Sequence, residues 1–336
     1  MVDGLLIIVV AVVVIALVFD YINGMHDAAN AIATVVSTRV LSPKQAILMA
    51  AVLNFGGAFL STAVAKTIGK GIVDPTLVSN GIVIAALLGA IAWNMLTWFF
   101  GIPSSSSHAL IGGVIGGAAS YHGFGALNAE GLVKILKALV LSPIFGLIGG
   151  FILMILIMWM FRNACAGAVN KSFKVLQIGS AGFMAISHGS NDAQKIMGVI
   201  AMALFGAGYI TDFHIPFWVV FACAAAIAIG TATGGWRIIK TMGVKMIKLQ
   251  PVNGFAAETA ASVVILGATH MGVPVSTTHV ISGSIMGVGS AKRFSAVRWG
   301  VAGNMMIAWV LTIPATAGVA WLMGKLLLAI PVDGLH

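Results

Sequence analysis

The sequence predicts an all-α integral membrane protein that consists of two copies of one five-crossing unit. Three observations support this prediction: an apolar composition, apolar runs long enough to cross a bilayer, and two polar motifs that each occur twice. Hydrophobic residues fill 60% of the 336 positions, charged residues fill 8%, and the mean hydropathy is +1.06. A soluble domain cannot carry this composition on its surface, so the chain must be solvated mainly by lipid.

Apolar runs separated by polar breaks predict ten crossings of a hydrocarbon core that is roughly 30 Å thick. The first run, 4–19, has no basic residue before it and no cleavage pattern after it, so we expect a retained span rather than a signal peptide. The first and sixth crossings are long because a polar motif interrupts each. The predicted crossings are 4–36, 45–65, 81–100, 102–120, 133–161, 173–205, 214–235, 254–270, 273–290 and 298–325.

The basic residues are concentrated in the loops on one side of the predicted membrane topology. Four alternate loops, 39–44, 162–174, 236–250 and 291–298, hold 12 of the 18 lysines and arginines, whereas acids cancel the bases in the opposite set. The positive-inside rule makes the basic loops cytoplasmic and places both termini outside. The net charge of +9 therefore marks membrane orientation, and no nucleic-acid partner is expected. The two cysteines match no metal or disulfide pattern.

Two polar motifs recur in the second half of the chain. Segment 24–28 (Gly-Met-His-Asp-Ala) returns as 189–193 (Gly-Ser-Asn-Asp-Ala). Segment 101–108 (Gly-Ile-Pro-Ser-Ser-Ser-Ser-His) returns as 272–279 (Gly-Val-Pro-Val-Ser-Thr-Thr-His). The two motifs are displaced by similar distances, each close to half the chain length, which indicates duplication of one ancestral unit.

The duplication predicts a first repeat at 1–165 and a second repeat at 166–336. Because each repeat has an odd number of crossings, the second copy must enter the membrane from the opposite side. Inverted repeats with broken helices and re-entrant hairpins are characteristic of secondary transporters, whose sites lie at the midplane between the copies.

Four acids fall within the predicted crossings: Asp20, Asp27, Asp192 and Glu258. An ionised side chain inside a bilayer is costly, so each is a candidate functional residue. The alternative is that these groups only join helices through hydrogen bonds. A pair of acids at equivalent positions of two repeats favours function over that alternative.

A glycine precedes Asp27 and Asp192 by three positions in each repeat, which predicts a helix break that exposes backbone groups to a cavity. Helical spacing places Asn30 on the face of Asp27, and Lys195 on the face of Asp192.

The repeated Pro-Ser/Val-Ser/Thr segments combine a proline, hydroxyl residues and a following small-residue helix, which predicts a helix N-terminus in each repeat. Two such termini brought together would offer N–H donors and positive dipole ends to a tetrahedral oxyanion. Simple capping of a membrane helix is the alternative. The hydroxyl residues involved are Ser105, Ser106, Ser107, Ser276, Thr277 and Thr278.

Carboxylates beside an anion site predict coupling to a cation. Ionised Asp27 and Asp192 would repel the anion unless protons or sodium ions neutralise them first. His26 could assist as a proton-sensitive group and Lys195 as a counter-charge. Glu258 has no acidic counterpart in the first repeat, so we expect it to carry a coupling proton. Structural hydrogen bonding remains an equal alternative for the histidines at 26, 108, 188 and 279.

These motifs resemble those of the inorganic phosphate transporter family, whose signature is a duplicated Gly-x-Asn-Asp-x-x-Asn-like element with repeated Pro-Ser-Ser/Thr hairpins. The resemblance covers essentially the whole chain, and segments 24–30, 38–43 and 187–195 look like the bacterial branch, which implies low affinity and proton coupling. It implies the site residues Asp27, Asn30, Asn191, Asp192, Ser105, Ser106, Ser276 and Thr277.

This chain departs from the family pattern at two positions. His26 replaces the first Asn and Lys195 the last, which argues against the sodium coordination of the sodium-coupled branch. The long central loop of many members is also absent, since 162–174 is short.

We therefore expect a secondary active symporter that imports inorganic phosphate, free or as a metal-phosphate complex, with protons across the bacterial cytoplasmic membrane. The residues alone leave open sodium coupling, another tetrahedral oxyanion such as sulfate, or a channel. A serine hydrolase is the more distant alternative, because Ser107 and His108 are adjacent and point to different helix faces. We expect no enzyme activity, cofactor or metal site. The expected partners are inorganic phosphate, the coupling cation and membrane lipid. A homodimer is compatible with the sequence.

Overall fold

The computed structural model describes residues 4–330, so residues 1–3 and 331–336, the outer ends of the two predicted repeats, lie outside it. All regular elements in the described range are helical apart from one isolated β-bridge between Val73 and Leu127. The first half contains α1 (Gly4–Ser37), α2 (Pro43–Gly57), α3 (Ala63–Gly71), α4 (Asn80–Phe100), α5 (Ser106–His122) and α6 (Ala129–Met160).

The second half repeats this order of six helices. It contains α7 (Ala166–Gly206), α8 (Phe217–Thr233), α9 (Trp236–Lys240) with a π-helical continuation (Thr241–Lys245), α10 (Pro251–His270), α11 (Thr277–Lys292) and α12 (Trp299–Leu328). The predicted repeat boundary falls between α6 and α7.

The described helices differ in their ability to span a bilayer. Five of them, α1, α4, α6, α10 and α12, are long and apolar enough to cross alone, and α8 with the bent continuation through α9 makes a sixth. Each predicted crossing coincides with a helix, but α2, α5 and α11 have only 15, 17 and 16 residues. A full crossing needs about 20 residues. These three helices are therefore too short to cross alone. Helices α5 and α11 begin inside the protein, as expected for the re-entrant hairpins of the predicted fold.

The predicted breaks at Gly24 and Gly189 are also wrong. Both α1, with 34 residues, and α7, with 41, run through these positions without interruption. A Cβ atom on Gly24 would lie 2.3 Å from the carbonyl oxygen of Ile227, and one on Gly189 would lie 2.2 Å from that of Asn54. Glycine at these two positions therefore allows neighbouring helices to pack closely. The interruptions fall instead between α2 and α3 and between α8 and α9, where the second pair bends by 63°.

The two halves pack into each other reciprocally. Helix α5 packs on α12 and α6 on α11, while α1 packs on α8 and α2 on α7. A Cβ atom on Gly116 of α5 would lie 2.0 Å from the carbonyl oxygen of Ala317, and one on Gly287 of α11 would lie 2.0 Å from that of Leu147. Each half thus completes the interior of the other. The opposite orientation of the second copy in the membrane stays a prediction.

Two apolar cores flank the polar motifs. One core contains α1 up to Phe19 and α7 from Ala193 onward, and the other contains α1 from Ala29 and α7 up to Ala185. The polar segments of both long helices therefore lie between the cores. Large apolar side chains such as Phe145 and Val310, 55% and 75% exposed, cover the outer surface, as expected for contact with lipid.

Candidate functional site

Two equivalent hairpins deliver helix N-termini to the protein interior. The α4–α5 turn passes through Gly101 and the α10–α11 turn through Gly272, and both glycines have φ of +66°. This left-handed conformation favours glycine because any Cβ atom would be strained. The chain then runs inward to the starts of α5 and α11, at Ser106 and Thr277. The two predicted N-termini are confirmed.

Both N-termini have the same cap. Ser105 Oγ accepts a hydrogen bond of 3.1 Å from the N–H of His108, and Ser276 Oγ accepts one of 3.3 Å from the N–H of His279. The N–H groups of the first two residues in each helix have no acceptor within the helix. Together with the positive ends of the helix dipoles, they form two donor groups suited to an anion.

Each motif acid contacts the hairpin tip of its own half. Ser106 Oγ donates a hydrogen bond of 3.2 Å to Asp27 Oδ2, and Thr277 Oγ1 donates one of 2.8 Å to Asp192 Oδ2. The hydroxyls that could bind an anion are therefore held by carboxylates in this conformation.

The residue three positions after each acid contacts the hairpin tip of the other half. Asn30 Nδ2 donates to the hydroxyls of Thr277 and Thr278 at 3.2 and 3.0 Å. Lys195 Nζ donates to Ser107 Oγ at 2.5 Å and also to the carbonyl oxygen of Val275 at 2.9 Å. Each long helix thus holds both tips together.

Lys195 also forms an ion pair with Asp192, one helical turn earlier. Its ammonium group consequently has three oxygen partners: a carboxylate, a hydroxyl and a carbonyl. This oxygen set is of the kind that hard cations prefer. The side chain supplies a covalently attached positive charge at the meeting point of the two halves.

A histidine accompanies Asp27. The Nδ1 atom of His26 lies 2.7 Å from Asp27 Oδ1, and its Nε2 atom lies 3.1 Å from Thr97 Oγ1. The hydroxyl of Thr97 already donates to a carbonyl of α4. The ring therefore joins the acid of α1 to the end of the first hairpin.

A second histidine accompanies Asp192. The Nε2 atom of His188 lies 3.1 Å from Asp192 Oδ2, and its Nδ1 atom lies 3.0 Å from Asn54 Oδ1. Asn54 Nδ2 donates to Thr231, so its oxygen faces the ring as an acceptor. The ring of His188 therefore lies between Asn54 of α2 and the acid of α7.

The acids of the two repeats meet. Asp27, His188 and Asp192 each offer one ligand atom, and these three atoms lie within 4.8 Å of one another. Two carboxylates and an imidazole at this spacing could share a proton or hold a cation.

The predicted binding residues are closed off from both sides of the protein. None of them exposes more than 4% of its surface. A substrate could reach this cluster only after a conformational change. The residues are Asp27, Asn30, Ser105, Ser106, Ser107, Asn191, Asp192, Lys195, Ser276, Thr277 and Thr278.

Two predicted residues lie apart from the tips. Asn191 Nδ2 donates to Thr269 Oγ1 at 2.8 Å on α10, rather than to a tip hydroxyl. Glu258 accepts hydrogen bonds from the hydroxyls of Thr34 and Ser180 and from Gln177 Nε2 at 3.2 Å. Glu258 therefore belongs to a second buried polar group one helical turn beyond Asn30.

The sequence prediction did not include Asn54, Thr97 or His188 in the site. The position of His188, four positions before Asp192, would have placed both on one helix face. Asn54 and Thr97 gave no such signal, because a single polar residue in an apolar run is typical of ordinary helix association.

The paired histidines of the hairpins contact each other with tilted rings. The ring centres of His108 and His279 lie 4.4 Å apart, and His279 stacks on Trp309 at 3.9 Å. Within residues 4–330 neither of these two rings forms a hydrogen bond with a serine hydroxyl.

Comparison with family models gives one match across most of the chain. The model described as the phosphate transporter family matches residues 23–320. A solved structure described as the sodium-dependent phosphate transporter has a TM-score of 0.87 and 24% identity, and the match covers 96% of this chain and 99% of that one. At this identity the likeness establishes the fold.

Closer relatives come from several organisms. Proteins described as probable low-affinity inorganic phosphate transporters are 52% identical in Rhizobium meliloti and in Bacillus subtilis. These matches cover 92% and 94% of this chain and 93% and 96% of the relatives. A putative phosphate permease of Pyrococcus horikoshii is 31% identical over 91% of this chain and 94% of its own length.

Proposed function

The chain belongs to the phosphate transporter family and is a transporter rather than an enzyme, and on that premise we propose that it imports inorganic phosphate together with protons. The observation that carries this proposal is the convergence of two acids and two helix N-termini on one buried cluster. Helix N-termini bind tetrahedral anions, and paired acids bind the cations that such an anion needs for entry into a membrane.

Phosphate binds between the hairpin tips. The free N–H groups at the starts of α5 and α11 point their positive dipole ends toward it. The hydroxyls of Ser106, Ser107, Thr277 and Thr278 add donors, and Lys195 supplies a full positive charge beside Ser107. Near neutral pH inorganic phosphate is an anion whose unprotonated oxygens accept hydrogen bonds, so a donor-rich pocket suits it.

Proton coupling follows from competition for the same hydroxyls. Ser106 and Thr277 each have one hydroxyl hydrogen, which they donate to Asp27 and Asp192. Protonation of Asp27 removes one negative acceptor, and the hydroxyl hydrogen of Ser106 becomes free to bind phosphate. It also removes the repulsion between carboxylate and phosphate.

Lys195 explains how protons could replace a metal ion. Its ammonium occupies an oxygen-lined position next to Asp192 in the half where the family pattern has an Asn. The attached ammonium group permanently compensates the charge of Asp192, so protons need to neutralise only the charge of Asp27.

Sodium coupling is the second candidate, favoured by the cluster of Asp27, His188 and Asp192 with ligand atoms within 4.8 Å. The same cluster could take a divalent cation that travels with phosphate. The oxygen atoms around this cluster could bind either sodium or a divalent cation. The positive charge of Lys195 next to the cluster repels both ions.

The proposed location is the bacterial cytoplasmic membrane, with both described ends of the chain near the outer face. This orientation places the basic loops, including the short connection between α6 and α7, in the cytoplasm. The closed binding cluster then opens alternately to the two sides as one hairpin pair moves against the long helices.

The test uses purified protein in liposomes and labelled phosphate. In sodium-free buffer, an inwardly directed proton gradient should drive accumulation, and a protonophore should abolish it. Counterflow should occur, because phosphate on the far side accelerates a carrier. A strict sodium requirement with uptake that survives the protonophore would overturn proton coupling and establish the second candidate.

A further inference from the structure

Helix α1 carries a continuous polar stripe on its buried face. Asp20, Asn23, Asp27, Asn30 and Thr34 follow one another at intervals of three and four positions, which places them on one side of a helix. None of the five exposes more than 2% of its surface. At a rise of about 1.5 Å per residue the stripe is roughly 21 Å long, most of the thickness of a hydrocarbon core.

The Asp20 end of the stripe is poor in hydrogen-bond donors. Neither carboxylate oxygen of Asp20 receives a well-formed hydrogen bond, and the side-chain oxygen of Asn23 one turn later receives none either. Three buried acceptors side by side are costly unless something supplies a hydrogen. A proton on Asp20 turns the carboxyl group into a donor and removes its charge. The amide of Asn23 and the thiol of Cys223 lie beside the carboxyl group, but neither gives Asp20 a well-formed hydrogen bond, and this geometry points to a proton site.

The groups that face Asp20 make a metal ion a poor occupant. The thiol of Cys223 on α8 lies beside the carboxyl group, and α4 carries no titratable side chain at all. A hard cation prefers a cage of oxygens, and here a soft thiol occupies one side. On α7, the charges of Asp192 and Lys195 act on Asp20. A change of protonation at Asp20 is consequently felt at the binding cluster.

The opposite end of the stripe, at Thr34, lies next to an acid that has several hydrogen-bond donors. Thr34 donates a hydrogen bond to Glu258, which also accepts from Ser180 and Gln177. Glu258 therefore has three hydrogen-bond donors around its carboxyl group, whereas Asp20 has no well-formed hydrogen bond. The stripe thus runs from a carboxyl group without a well-formed hydrogen bond, past Asp27 at the binding cluster, to a carboxylate rich in donors.

Only the first half of the chain has this stripe. When the two aspartate motifs are aligned, the equivalent positions on α7 are Ala185, His188, Asp192, Lys195 and Val199, so the polar centre is kept but both ends are apolar. When the two hairpins are aligned, the counterpart of Glu258 on α4 is the buried Leu87. Asp20 in the first half and Glu258 in the second half thus each have an apolar counterpart in the other copy, so the two copies of the duplicated unit are not equivalent.

We propose that Asp20 is a second proton site and that the buried face of α1 is the path of the coupling proton. The proton binds Asp20, then Asp27 and finally Glu258, and the polar side chains of Asn23, Asn30 and Thr34 line the path between these carboxyl groups. Helix α7, with Lys195, holds the anion. This inference rests on the proposed proton coupling and adds the route and its first acceptor.

The test separates phosphate exchange from proton-driven accumulation in one preparation. Asp20→Asn should retain exchange between labelled and unlabelled phosphate at equal pH, because the binding cluster is intact. With the membrane potential clamped at zero and a gradient of about one pH unit, the loss of one coupled proton should lower the steady-state accumulation ratio about tenfold. Asp212→Asn, the same change at an exposed acid, should alter neither measurement.

Each other outcome has a defined meaning. Unchanged accumulation by Asp20→Asn would overturn the proton site, and loss of exchange by a stably folded variant would overturn its separation from the anion site. If that variant does not fold, Asn23→Leu removes the neighbouring polar step, and unchanged accumulation there would also overturn the path. Absence of phosphate exchange in the unaltered protein would instead contradict the proposed function.

Discussion

Lys195 and Ser107 belong to different halves of the chain, and the ammonium group of Lys195 donates a hydrogen bond of 2.5 Å to the Ser107 hydroxyl. The same ammonium group contacts the carbonyl of Val275 in the other hairpin and pairs with Asp192. One side chain therefore joins both hairpin tips to the acid of α7. The equivalent residue in the first half, Asn30, makes the matching cross-contact without a charge.

Replacement of this charge tests its part in anion binding. Lys195→Asn should raise the phosphate concentration needed for half-maximal uptake about tenfold or more, because charge-assisted hydrogen bonds contribute about 1.5–3 kcal/mol. Sodium should stimulate this variant more than the unaltered protein, since the cluster loses its attached cation. Uptake kinetics with and without sodium measure both effects. Lys174→Asn, in the exposed start of α7, is the matched control, and equal kinetics for both variants would contradict the assignment.

The two motif acids should differ in stability despite similar effects on transport. Asp27→Asn and Asp192→Asn should both abolish accumulation of labelled phosphate, because each removes a carboxylate of the shared cluster. Only Asp192→Asn leaves a buried ammonium group without its anionic partner, a loss that costs about 3–5 kcal/mol. Thermal unfolding in detergent should therefore show a clearly lower Tm for Asp192→Asn than for Asp27→Asn.

The contrary results are equally specific. Accumulation at normal rates by either variant would remove that acid from the transport mechanism. Equal Tm values would show that another group compensates Lys195 in the folded protein.

The glycines of the two long helices should be required for packing. Gly24→Ala and Gly189→Ala each introduce a methyl group about 2.2–2.3 Å from a backbone carbonyl oxygen, so the helices must separate. Both variants should unfold at lower temperature or fail to assemble. Gly179→Ala on the exposed side of α7 meets no atom within 4 Å and should be neutral or slightly stabilising. Thermal stability of the three purified variants checks this, and a neutral Gly189→Ala would contradict the close contact.

Much of the candidate site could be predicted from local patterns. Composition indicated the membrane environment, and the recurrence of two motifs identified Asp27 with Asp192 and the hydroxyls of both tips. These patterns are informative because a costly acid in an apolar run, or a proline before hydroxyls and a helix, has the same physical meaning wherever it occurs in the chain.

Other features depended on contacts between distant segments. A glycine before an aspartate is compatible with either a helix break or a close helix crossing. The close approach of the Ile227 and Asn54 carbonyl groups to these glycines shows that they lie at helix crossings. Asn54 and Thr97 joined the site only because α2 and α4 carry them to the two histidines. Sequence spacing does not specify which helix faces meet.

The amino-acid sequence by itself determined the membrane environment of this protein, the two repeated motifs and the candidate residues for an anion and a cation site, since hydropathy, charge and repeat spacing are properties of the chain. Only the tertiary structure decided that α1 and α7 are continuous, that each holds both hairpin tips, and that Asp20 lies without a well-formed hydrogen bond while Glu258 is surrounded by donors. The physical reason is that hydrogen-bond satisfaction and close packing are properties of pairs of atoms, and the partners of these residues lie up to 248 positions away along the chain.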